Sequence, residues 1–121
     1  MAQEFQVLEK QELPATKFWG VDNFGAKYYN QHLELIKKAD QTYSYSNKSF
    51  GTPDFVDLSN PMRILVFYKA VQQAVVLDNK LNPIQIIDFN TFDDLGFVSH
   101  IGTASGQSLW VFDESQNEVY F

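Results

Sequence analysis

Three aspartates, Asp22, Asp78 and Asp113, each stand where an apolar run gives way to a turn. A carboxylate at such a place can accept the backbone N–H groups of its own turn. Gathered at one end of a sheet assembly, the three would instead form an acidic rim able to hold a cation. No Asp-x-Asp-x-Asp-Gly loop accompanies them, so the sequence favours the turn role. His32 and His100 are the only histidines, far apart and without cysteine, and neither has a spacing suited to metal ligation. Asp93-Asp94 falls in a polar stretch and reads as a solvated loop rather than half of an acid pair. Ser105 lies between Gly102 and Gly106 without the Gly-x-Ser-x-Gly spacing of a nucleophile elbow. No phosphate loop or dinucleotide fingerprint occurs. Trp19, Trp110, Tyr28, Tyr29 and Phe92 could line a contact surface, though Trp19 and Trp110 fall inside strand-like runs and read as packing between sheets. The sequence therefore assigns no catalytic, cofactor-binding or metal-ligating residue, and the chain is not read as an enzyme.

Bulk composition bounds the partners. The 121 residues are 45% hydrophobic and 16% aromatic, too apolar for a disordered segment. Fifteen acidic against nine basic residues give a net charge of −6, the reverse of a nucleic-acid footprint. There is no cysteine, hence no disulfide framework or lipidated cysteine anchor. No apolar run approaches the ~18 residues of a membrane span. No charged-then-apolar leader is visible, and Met1-Ala2-Gln3 is compatible with an initiator methionine placed before a mature Ala-Gln terminus.

The elements that would position these residues are short strands. Arg63–Phe89 carries three runs, Ile64–Tyr68, Ala74–Leu77 and Ile84–Phe89, each too short for a helix and rich in Val, Ile, Phe and Tyr. They read as a three-strand meander. Before it, strands are expected over residues 4–12, 18–24, 27–30, 32–38, 42–46 and 55–58. A helix over His32–Lys38 is the competing reading for the fourth of these. After it come a loop at Asn90–Gly96, a strand at Phe97–Ile101, a turn at Gly102–Gly106, and strands at Leu109–Asp113 and Glu118–Phe121.

These strands repeat. Phe67 of the run Ile64–Tyr68 and Phe112 of Leu109–Asp113 lie 45 residues apart, and Lys27-Tyr28-Tyr29 precedes the central copy by about 38. Each copy is followed by a polar turn and another strand. Four-stranded units of about 40–50 residues are the signature of a β-propeller blade. The expected all-β architecture is blade one at 18–46, blade two at 55–89 and the start of blade three at 97–121, with an N-terminal strand at 4–12 outside them. A small β-sandwich or barrel is the alternative. Blades stack face to face, so their inner strands are buried on both sides, which fits the unbroken apolar run at Ile64–Tyr68. About two and a half blades do not close a ring. Either missing C-terminal blades or another chain would complete it, and the chain alone is expected to be poorly stable.

With these stretches in place, the chain resembles uncharacterised secreted β-propeller-like proteins of the Bacteroidota. The likeness rests on FQVLEKQELPATKFWGVDNFGAKYY, TYSYSNKSFG, VDLSNPMRILVFYKAVQQAVVLDNKLNPIQIIDF and LWVFDESQNEVYF, nearly the whole chain. The resemblance implies the N-terminal portion of a longer exported protein, periplasmic or associated with the outer membrane. It implies no catalytic residues. The expected function is a non-catalytic protein-binding or scaffold component of the cell envelope, or more narrowly a subunit of an outer-membrane export or assembly complex, with a protein partner and no nucleic acid. The alternative is part of a propeller enzyme acting on polysaccharide, its site in blades outside this sequence.

Overall fold

The computed structural model describes residues 6–121. Eleven strands and one turn of 3-10 helix follow one another as β1 (Lys17–Val21), β2 (Lys27–Gln31), β3 (Glu34–Lys38), β4 (Thr42–Tyr45), β5 (Phe55–Asp57), β6 (Ile64–Tyr68), β7 (Gln73–Leu77), β8 (Pro83–Asp88), the 3-10 turn (Phe89–Thr91), β9 (Val98–Thr103), β10 (Leu109–Asp113) and β11 (Glu118–Tyr120). They form three separate antiparallel sheets, β1-β2-β3-β4, β5-β6-β7-β8 and β9-β10-β11, each a simple meander. No sheet closes into a barrel. His32–Lys38 is no helix: Glu34–Lys38 is β3, hairpinned to β2 through His32-Leu33.

The second sheet is the centre of the molecule, and its alternation explains the sequence of Arg63–Phe89. Ile64, Val66, Tyr68, Val75 and Leu77 face the first sheet, where they meet Tyr28, Leu35 and Ala26. Leu65, Phe67, Ala74 and Val76 face the third, where they meet Val98, Ile101 and Val111. Successive side chains of a strand point to opposite faces, so a strand buried on both sides must be apolar at every position. Ile64–Tyr68 is buried throughout. Edge-to-face contacts of Phe50 on Tyr68 (5.2 Å) and Phe67 on Phe89 (6.1 Å) fill the two cores.

Side chains also stitch sheet to sheet. The Gln72 amide bonds both backbone groups of Val98, Asp57 accepts the Thr103 N–H at 2.8 Å, and Lys37 donates to the Asn79 carbonyl at 2.6 Å.

Three expectations need correction. Residues 6–12 form no strand; the rest of the expected N-terminal strand, Glu4-Phe5, lies outside the described residues. Its alternating pattern had no sheet to lie against, and Val7 and Leu8 are 66% and 90% exposed. The strand expected to reach Phe24 stops at Val21, because Asp22 folds the next residues into a turn. The turn expected from Gly102 begins later, since Gly102 pairs with Trp110 inside β9. A side chain at Gly102 would collide with the Trp110 ring, so glycine here marks a close approach rather than a bend.

Candidate functional site

Asp22 and Asp78 build the same turn twice. Asp22 Oδ1 accepts the N–H of Phe24 (2.9 Å) and of Ala26 (3.0 Å). Asp78 Oδ1 accepts the N–H of Lys80 and of Asn82, both at 2.9 Å. In each, the aspartate N–H donates to the carbonyl four residues on, and the residue three on returns its N–H to the aspartate carbonyl. That residue takes positive φ, as Gly25 (87°) in one and Leu81 (59°) in the other. Asp22 also accepts the Tyr28 hydroxyl at 2.8 Å. Burial works to raise the Asp22 carboxyl, but the Tyr28 hydroxyl and the two amides outweigh it and hold it below the ordinary range. Burial and the same carboxylate push the Tyr28 hydroxyl far up. Asp78 is held down chiefly by the Asn82 amide.

The two turns border one cleft at the seam of the first and second sheets, about 530 Å³, lined among others by Asp22, Phe24, Lys37, Asp40, Met62 and Asn79. Lys37 crosses the seam. Its ammonium lies 5.8 Å from both the Tyr28 and Tyr43 ring centroids while it bonds the Asn79 carbonyl. Phe24 (82%) and Met62 (57%) stand exposed at the cleft mouth. The arrangement is a stiff frame, backbone-pinned on both sides, that presents two apolar side chains beside a lysine. The Asp22 and Asp78 carboxylates of this frame are already occupied as acceptors, so neither stands free as an acid or base.

Asp113 does not join them. It sits in the β10–β11 turn at the opposite end of the strands and is fully buried. It accepts from Gly96 N–H (2.7 Å), Phe97 N–H (3.1 Å), Ser115 N–H (3.0 Å) and hydroxyl (2.6 Å), and Gln116 Nε2 (2.6 Å). The Ser115 hydroxyl, followed by the Gly96 amide, holds the carboxyl far below the usual carboxylate range. An acidic rim of all three is therefore not formed.

The remaining candidates are scattered. His32 is the positive-φ turn residue between β2 and β3. His100 Nδ1 lies 2.8 Å from the Ser99 hydroxyl oxygen, and its ring meets Phe112 edge-on at 6.2 Å. It borders a second cleft, about 430 Å³, with Asp54, Asp57, Lys69 and Trp110. There Asp54 accepts the Lys69 N–H (2.7 Å), and Asp57 accepts from Ser59 and Thr103. Asp93-Asp94 and Phe92 are exposed in the loop after the 3-10 turn. Ser105 is an exposed turn residue whose carbonyl accepts from Ser108. Trp19 packs against the first core, and its Nε1 donates to the buried Asn30 Oδ1 at 2.7 Å, whereas Trp110 covers Gly102 at the second cleft. Tyr28 is buried toward the second sheet; Tyr29 pairs with Ile36 on the other face. Among the described residues no group of three or more His, Asp or Glu is placed to hold a metal ion.

Sequence reasoning singled out the aspartates but missed Lys37, Met62 and Gln72. The repeated Asp-Asn at 22–23 and 78–79 was the available signal for the twin turns. No helix is long and apolar enough to cross a membrane among the described residues. Compared with known proteins, the chain matches no family model and no curated sequence.

Proposed function

We propose that this chain is a non-catalytic, protein-binding part of a bacterial cell-envelope scaffold, its sheets the blades of a β-propeller. The blade reading is supported by the face-to-face stacking of meanders, with the second sheet buried on both sides. The periplasmic or outer-membrane location, and membership of an export or assembly complex, are part of the same proposal and draw on the sequence resemblance. The observation that carries the binding role is the seam cleft, where the Asp22-pinned turn holds Phe24, and the turn in which Asn60 Oδ1 accepts the Met62 N–H holds Met62, out to solvent beside Lys37. Rigid elements presenting exposed loops are the usual layout of a recognition surface.

The test is affinity capture from a solubilised envelope fraction, run in parallel with the Phe24→Asp/Met62→Asp variant. A specific partner retained by the natural chain and lost by the variant supports the reading. Identical recovery with both chains, or no specific recovery, overturns it.

A further inference from the structure

Sulphur is scarce in this sequence, which has no cysteine and two methionines, Met1 and Met62. Of the two, only Met62 lies among the described residues. It stands in the loop between β5 and β6. Its N–H donates to Asn60 Oδ1 at 3.0 Å, and the N–H of Arg63 donates to the Asn60 carbonyl at 3.0 Å. The turn is thus closed by Asn60 and the backbone, and the thioether takes no part in holding it. Met62 belongs to neither core. Its side chain is exposed at the seam cleft, which Phe24 and Lys37 also line.

An exposed thioether is open to oxidation, and the sulfoxide replaces a flexible apolar side chain by a polar one. In a core that change disrupts packing. At Met62 it alters the cleft mouth and leaves both cores and the Asn60 turn as they are. With no cysteine in the sequence, no thiol competes for the oxidant.

We propose that Met62 is a reversible oxidation site that switches the seam cleft, peroxide converting its thioether to the sulfoxide and weakening binding there. The inference rests on the reading of the cleft as a recognition surface. In the step, a sulphur lone pair forms a bond to one oxygen of hydrogen peroxide as the O–O bond breaks. Sulphur is oxidised and the peroxide reduced; the proton of the transferred oxygen passes to the departing hydroxide, which leaves as water. Methionine sulfoxide reductases reverse the change.

The test treats the full chain with dilute hydrogen peroxide and reads three things. Peptide mapping should show one oxygen added at Met62, at a rate within roughly threefold of that for a free peptide of residues 60–64. Circular dichroism should show the sheets unchanged. Capture of the specific partner from a solubilised envelope fraction should fall roughly tenfold and return after treatment with the reductases. In Met62→Leu, whatever its own starting recovery, peroxide should change nothing. Oxidation of Met62 tenfold or more slower than in the peptide, loss of the sheets, an undiminished capture by the oxidised chain, or an equal fall in Met62→Leu would each overturn this inference while the binding reading stands. No specific partner for the untreated chain would overturn the binding reading, and this inference with it.

Discussion

The side-chain amide of Gln72 pairs with both backbone groups of Val98: Oε1 accepts the Val98 N–H at 2.8 Å and Nε2 donates to the Val98 carbonyl at 2.8 Å. One amide thus does for β9 what a neighbouring strand would do, and it fixes the third sheet to the β6–β7 turn of the second. Gln72 holds positive φ (56°) to reach this position, a strain that the two bonds offset.

Replacing Gln72 by alanine strips β9 of both partners while keeping the strained backbone. The expected loss is about 1–3 kcal/mol, the usual cost of leaving buried polar groups unpaired. Gln72→Gly should recover about 1 kcal/mol of it by relieving the left-handed conformation. Urea unfolding of the three chains gives the order natural, glycine, alanine; an alanine midpoint at or above that of glycine would contradict this account.

Leu81 sets two effects against each other. It occupies the same positive-φ position that Gly25 fills in the twin turn, yet its side chain is 2% exposed and belongs to the first core. Glycine there would relieve about 1–2 kcal/mol of backbone strain, but would remove a buried side chain whose truncation costs about 2–5 kcal/mol. Burial is the larger effect, so Leu81→Gly should lower the urea midpoint. An unchanged or raised midpoint would mean that the side chain contributes little.

Acid should weaken the fold through its aspartates. The folded carboxyls of Asp22, Asp57, Asp78 and Asp113 all lie below the ordinary value of 3.8. A depressed folded value means that the unfolded chain binds protons first. Stability is therefore fully present above about pH 4 and is lost as pH falls from there through the folded values. Urea midpoints at pH 7, 4 and 2.5 should decline over the last interval. Asp113→Asn should be less stable at pH 7 and decline less, because its new amide N–H groups face the donors of Gly96 and Gln116.

Tyr68 offers a gain. Its hydroxyl is buried and has no hydrogen-bond partner among the described residues, and burial pushes its ionisation far up. The ring already packs edge-on against Phe50. Tyr68→Phe keeps that contact and removes an unpaired polar atom, so it should be neutral or stabilising by about 1 kcal/mol. A thermal midpoint several degrees lower would show that the hydroxyl is satisfied in solution.

The amino-acid order by itself determined the strands and their grouping. Runs of β-branched and aromatic residues at Ile64–Tyr68, Ala74–Leu77 and Leu109–Asp113, cut by Asp-Asn and Asn-Pro turns, specify local hairpins, and local hairpins need no distant partner to be legible. The same order signalled that the central strands are covered on both faces. It misled at residues 6–12, where alternation without a sheet to receive it produces no strand, and at Gly102, where the Trp110 ring explains the glycine. Only the tertiary structure decided which sheet lies between the other two, that Asp22 and Asp78 share one end while Asp113 lies at the other, and that Lys37 and Gln72 lock the seams. Those relations join residues such as Lys37 and Asn79, 42 positions apart, and depend on how whole sheets stack, which no local pattern encodes.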